Sequence, residues 1–190
     1  MPKKVSFTKE KILKGSYNLL KEKGLEEITA RNIAKKLNCS PVPIYSSFAS
    51  MGELKEELMN KAKNEFLSYV KKPYTDKALY NIGIGIVYFA KDEKQLFSSI
   101  FFEQDSYKEL INEFNEMIFA EFDKDNKLKK LSREKQKWLL HKCWIYAHGL
   151  ATLVTTGYLK EINEIELKNN LEEIADIFIN SLSKKTKTKD

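Results

Sequence analysis

Apolar residues recur along the chain at three- and four-residue intervals, and no stretch alternates long enough to suggest a strand. Ile12, Leu13, Tyr17 and Leu20 form the inner face of a first helix, which Thr8 can cap and Gly24 ends after Lys21 and Lys23. Ile33, Ala34 and Leu37 face inward from a second helix capped by Thr29. Asn38-Cys39-Ser40 makes a tight turn. Ser40 can then cap a short third helix with Pro41 at its first position, where a missing N–H costs nothing, and with Pro43 still inside the first turn. Ser50 followed by Glu53 is a capping box for a fourth helix of about 51–71, which Pro73 breaks.

The later pattern is also helical. Leu79, Ile82, Ile86 and Phe89 share one face of a helix interrupted at Lys91-Asp92. Helices of about 92–102 and 106–122 follow, and the polar run from Asp123 to Lys130 reads as a loop. Ser132 starts a long helix reaching about Tyr158, and a last helix runs from Glu161 to Leu182 with Ile162, Ile165, Leu171, Ile174, Ile177 and Phe178 as its apolar surface. The expected fold is all-α, with about nine helices. Residues 1–56 form a three-helix domain braced by helix four, residues 57–182 form a second helical domain, and 183–190 is a disordered basic tail.

Composition narrows the function. The 190 residues are 42% hydrophobic and 32% charged, as in a folded globular protein. No run approaches the eighteen apolar residues of a membrane span, and the N-terminus has positive charge without the apolar core of a secretion signal. Cys39 and Cys143 are too far apart in sequence to suggest a framework or a metal cluster, so a reducing cytoplasm is expected. The net charge is +6, and only Arg31 and Arg133 are arginines. Residues 1–60 carry 11 basic and 7 acidic side chains, residues 61–180 carry 18 and 19, and residues 181–190 carry 4 and 1. Attraction to a polyanion is therefore expected at the two ends of the chain and not in its middle. A lysine-rich proteome would give lysine-rich surfaces without any such partner.

Three short helices, the second and third joined by a tight turn, suggest a helix-turn-helix whose third helix enters the DNA major groove. The outward positions of that helix are Pro41, Val42, Tyr45 and Ser46, while Ile44 and Phe48 pack inward. Ser40, Ser46, Ser47 and Tyr45 can reach phosphates, as can Thr29 with the N–H groups behind it. A helical corner in an all-helical protein would show the same spacing. The residues Ile12, Gly24, Ile28-Thr29, Arg31, Ile33-Ala34, Ser40, Ile44-Tyr45, Phe48, Ser50 and Leu54 go further: residues 9–58 resemble the DNA-binding domain of TetR-family transcriptional repressors. The resemblance implies a homodimeric, ligand-responsive repressor of transcription. Taken with the helix-turn-helix reading, the expected DNA contacts are Thr29, Arg31, Ser40, Pro41, Val42, Pro43, Tyr45, Ser46 and Lys55.

The departures from that family matter. Asn38 stands where a glycine is usual, which is tolerable because Asn also adopts left-handed backbone geometry. Val42 and Pro43 replace a small or polar residue and a Thr, and Met51 replaces a Lys. Two phosphate-binding groups are therefore missing, and Lys35, Lys36 and Lys55 are the nearest replacements. The third helix has no outward Arg, Lys, Asn or Gln, so it cannot read purine edges by bidentate pairs. Val42 and Pro43 can still touch thymine methyl groups, which predicts modest affinity or a large contribution from DNA shape.

The resemblance also implies a dimer through the helices at about 132–158 and 162–182, although burial inside one chain would explain the same apolar residues. The segment Trp144-Ile145-Tyr146-Ala147-His148-Gly149 resembles the Trp-His-Gly segment of one branch of such regulators. His148 and Trp144 lie one turn apart, with His141 three residues before Trp144. His148 can be either a core histidine bonded to a carbonyl or a ligand-facing donor. Gly149 and Gly157 are expected to permit close helix approach, and Gly83 and Gly85 to mark either a space or a close contact. Tyr80, Ile84, Tyr88, Phe101, Phe114, Ile118, His141, Trp144 and His148 are the candidate ligand-binding residues, with Phe97, Phe102, Tyr107 and Phe122 as further apolar wall. They suit a hydrophobic or aromatic effector, and core packing explains them equally well. No cofactor, metal site or enzymatic activity is expected, since no phosphate loop, zinc motif or nucleophile elbow occurs. The alternative is an all-helical interaction or sensor protein with weak or lost sequence-specific DNA binding.

Overall fold

The computed structural model describes residues 7–103, 108–160 and 163–184. They form nine α-helices and no strand. In order these are α1 (Lys9–Lys23), α2 (Ala30–Leu37), α3 (Val42–Ser47), α4 (Met51–Val70), α5 (Ala78–Asp92), α6 (Lys94–Phe101), α7 (Lys108–Phe122), α8 (Arg133–Thr155) and α9 (Glu164–Lys184). Short 3-10 turns at Leu25–Glu27 and Leu128–Lys130 punctuate the connections. The expected beginning of the last helix at Glu161-Ile162, the wall residue Tyr107 and residues 185–190 of the basic tail lie outside the described residues. None of the described helices is long and apolar enough to cross a membrane.

Two compact units divide the chain. The first takes the described residues up to Asn64 and resumes with a segment starting at Glu93, so it includes α1 to α3, most of α4, and α6. The second takes Glu65–Asp92 and the helices from α7 onward. In the first unit, Ile12, Leu20, Ile28, Ile33, Ile44, Phe48, Leu54 and Leu58 are buried. α6 lies along α1, where Glu93 pairs with Lys21. Gly24 has φ 86°, and an added Cβ there would stand 2.9 Å from the Gln95 side-chain oxygen.

In the second unit α5 is the central helix. It packs along α8, α9 and α7, and it is apolar on nearly every side, as a helix surrounded by others must be. Its two glycines mark close contact and not space. A Cβ on Gly83 would stand 3.2 Å from Leu171. A Cβ on Gly85 would stand 2.5 Å from the Tyr69 carbonyl oxygen and 2.7 Å from the Val70 Cα. α8 and α9 join through Trp138 and Phe178, whose rings meet edge to face at 5.9 Å. At Gly149 and Gly157, expected to permit close helix approach, an added Cβ would meet nothing within 4 Å among the described residues. Gly157 instead serves the backbone, turning the end of α8 at φ 78°.

Gly85 yields a prediction with a defined sign. Helix propensity alone would make Gly85→Ala stabilising by about 1 kcal/mol. The neighbouring backbone cannot swing aside as a side chain would, so overpacking should dominate and destabilise by about 1–3 kcal/mol. Urea denaturation followed by circular dichroism measures the difference, and a midpoint equal to or above that of the parent contradicts the packing argument.

Candidate nucleic-acid interface and effector groove

Thr29 caps α2 by accepting the Asn32 N–H at 3.2 Å. The Asn32 amide in turn donates to the Glu27 carbonyl and carboxylate, at 3.0 and 2.8 Å. At the other end Asn38 closes α2 in the left-handed conformation, φ 52° and ψ 51°. The Asn38 and Cys39 N–H groups bond back to the carbonyls of Lys35 and Ala34, a Schellman arrangement. Asn does here what a glycine would do.

α3 begins one residue later than its sequence suggests. Pro41 is the N-cap and no side chain caps the helix, so Ser40 does not hold the role expected of it. Pro41 is already helical, at φ −65° and ψ −18°, and its carbonyl takes the Ile44 N–H, which starts the turn without help from Ser40. Ile44 and Phe48 are buried. That orientation turns Val42 and Tyr45 outward, 67% and 63% exposed. Ser40, Pro41 and Ser46 are exposed as well, while Pro43 is only half-exposed. The Ser46 hydroxyl donates to the Val42 carbonyl at 2.9 Å, so its hydrogen is turned back into the helix and away from any phosphate.

The turn into α4 is braced by groups that sequence spacing located only in part. Ser50 accepts the Glu53 N–H at 3.1 Å, as a capping box requires. The Glu53 carboxylate accepts the Ala49 N–H at 2.6 Å, one residue before the position the motif predicts. Lys9, from the first turn of α1, reaches Glu53 at 3.2 Å and Glu57 at 2.6 Å, and its ammonium stands 4.8 Å from the centre of the Phe48 ring. The Ala49 N–H, together with Lys9, holds the Glu53 carboxyl below the usual carboxylate range. No local pattern links Lys9 to Glu53, because they are 44 residues apart.

Several cations of the first unit are already held in ion pairs, and others near α3 in sequence are not. Lys9, Lys21 and Lys36 pair with glutamates of the same unit, Lys36 with Glu22 at 2.6 Å, which removes it from the expected phosphate contacts. Arg31 and Lys35 on α2 and Lys55 on α4 make no ion pair among the described residues. Arg31 and Lys35 are exposed and Lys55 is half-exposed.

The candidate effector residues do not form one cavity. Phe114, His141 and Trp144 come together with Asn115, Phe119 and Leu140 around an open groove of about 480 Å³ between α7 and α8. Phe114 and Trp144 meet edge to face at 4.9 Å, and Trp144 stacks on His148 at 5.5 Å. Tyr80 is elsewhere, buried with its hydroxyl donated to Asp176 at 2.7 Å. It borders a separate polar groove of about 550 Å³ lined by Lys77, Lys124, Asp125 and Asp176. Burial, then Asp176, raises the Tyr80 phenol above its ordinary value. Tyr88 stacks edge to face on Tyr74 at 5.2 Å, Ile84 and Ile118 are buried, and Phe101 belongs to the first unit, packed on Phe97. The larger groove is the more polar one, so the α7–α8 groove is the better match for an apolar ligand. The Tyr80–Asp176 bond joins residues 96 apart and left no signal in the sequence. No cluster of three or more metal-ligating side chains occurs among the described residues.

Residues 12–58 match a family model described as bacterial regulatory proteins, tetR family. The match covers about a quarter of the chain and runs from the buried Ile12 of α1 to the buried Leu58 of α4. It supports a TetR-type transcriptional regulator with a helix-turn-helix DNA-binding domain. No curated protein matched the chain.

Burial lowers the His148 pKa below 6.5, so the folded state resists its protonation. The sign follows from linkage: the unfolded chain takes up the proton first, and stability falls as pH drops below about 6.5. His148→Gln should therefore flatten the loss of stability between about pH 7 and 5, measured as thermal midpoint against pH. An unchanged slope would show that His148 does not contribute to it.

Proposed function

We propose that the chain is a ligand-responsive transcriptional repressor that binds operator DNA as a homodimer. The observation that carries this is the presentation of α3: within the matched domain, its apolar side is buried and Val42 and Tyr45 stand clear of the protein. A two-turn helix exposed in this way, flanked by Arg31, Lys35 and Lys55, suits insertion into the major groove with cations beside it for the phosphates. Thr29, Ser40, Pro41 and Pro43 complete the contacts of this proposal. The Tyr45 hydroxyl contacts a phosphate.

Dimerisation is supported by the outward faces of α8 and α9. Ile145 and Leu153 on α8, and Ile165 and Ile177 on α9, are exposed large apolar residues. Gly149 sits between the two on α8 with open space above it, which a second copy could fill. Pairing places two recognition helices on successive half-sites, about 34–36 Å apart. The effector binds in the groove walled by Phe114, Phe119, Leu140 and Trp144, with Lys137 and His141 at its rim. A flat apolar molecule fits those walls. Its occupancy favours a state in which the recognition helices are spaced differently, and DNA is released.

Fluorescence anisotropy with DNA from upstream of the protein's own gene, against a scrambled duplex, tests the reading. Preferential binding of the upstream duplex supports a regulator, and equal weak binding to both favours an interaction protein that has lost DNA recognition. Tyr45→Phe should weaken both duplexes alike, by about tenfold, because a hydrogen bond to a charged phosphate is sequence-independent. Unchanged affinity would show that Tyr45 faces elsewhere.

Ile145→Glu should convert the dimer to monomer in sedimentation velocity. It should also weaken operator binding by about 100-fold or more, since linked half-sites no longer act together. A variant that stays dimeric contradicts the assigned interface.

A further inference from the structure

The operator-binding reading can be taken one step further, to what α3 recognises. Guanine presents acceptors in the major groove and is read by Arg or Lys, adenine is read by a carboxamide, and cytosine by a carboxylate. The exposed positions of α3 and its lead-in are Ser40, Pro41, Val42, Tyr45 and Ser46, and none of these groups is among them. The nearest carboxamide, Asn38, stands before the helix in the turn. Ser46 has its hydrogen committed to the Val42 carbonyl. Thymine is the base read by apolar contact, through its C5-methyl group.

Val42 is suited to that contact. It is 67% exposed at the first position of α3, and its β-branched side chain is stiff, so little rotamer freedom remains to be lost on binding. Pro43, the other residue the sequence offered for this role, is half-buried. The surrounding charge is complementary to a duplex: Arg31, Lys35 and Lys55 lie on the helices either side of α3 and make no ion pair among the described residues. Phosphate attraction thus comes from α2 and α4, and α3 is left with an apolar tip.

We infer that Val42 is a specificity-determining residue that selects operator half-sites carrying thymine beneath α3, by burying the thymine C5-methyl group. This rests on the proposal that the chain binds operator DNA.

Uracil differs from thymine only by that methyl, which gives a direct test. The full chain is used to select duplexes from a randomised pool. Each thymine of the selected half-site is then replaced by deoxyuridine in turn. One or two positions should lose affinity by about fourfold per half-site, or about fifteenfold when both half-sites are changed, as expected for one buried methyl. Val42→Ala, whose folding is checked by circular dichroism, should bind the thymine and uracil duplexes within about twofold of each other. A selected sequence without thymine, no position sensitive to uracil, or full sensitivity retained in Val42→Ala overturns the inference and leaves operator binding standing. A pool that never enriches overturns both.

Discussion

Burial of Ile44 and Phe48 is the constraint on which the DNA-facing surface depends. α3 has six residues, too few to hold a helix by its own hydrogen bonds. Its conformation is set by what its inner face is packed against. With those two side chains inside, Val42 and Tyr45 have to point outward. The Schellman turn at Asn38 fixes the entry to the helix, and the Ser50–Glu53 turn fixes the exit. Lys9 ties the second of these to α1 and covers the Phe48 ring from outside. The proposed recognition surface therefore rests on a small apolar core clamped at both ends by polar turns.

Most of the first unit was legible in the sequence because its signals are local. Thr29, Asn38 and Ser50 act within four residues of their own position, and periodicity correctly put Ile44 and Phe48 inside. Ser40 misled because Pro41, already helical, supplies the start that a capping side chain would otherwise give. Lys36 reads as a phosphate-binding group and is held by Glu22 across 14 residues. α6 is the larger case. Nothing in its own pattern tells that it lies beside α1, since Leu96, Phe97 and Ile100 report only that they are buried and not which helix covers them.

The second unit was legible as helices and far less as a site. Aromatic residues were expected to surround one space. The structure uses several of them for packing elsewhere: Tyr88 against Tyr74, Phe101 against Phe97. Only Phe114, His141 and Trp144 of the candidate residues border the apolar groove. Apolar periodicity reports that a side chain is covered, and it carries no information on whether protein or ligand does the covering. The glycines illustrate the same limit. Gly85 is required by a carbonyl 2.5 Å from where a Cβ would be, whereas Gly149 faces open space, and the sequence makes them look alike.

Two physical terms are thus separated along this chain. In the proposed complex with operator DNA, cations on α2 and α4 would supply attraction that salt weakens, and the tip of α3 would supply apolar contact that salt hardly touches. The direct test is the slope of log Kd against log salt for a selected duplex and a random one. The account predicts parallel slopes, with a gap in affinity that stays constant as salt rises. A gap that closes with salt would place sequence discrimination in the charges and contradict it.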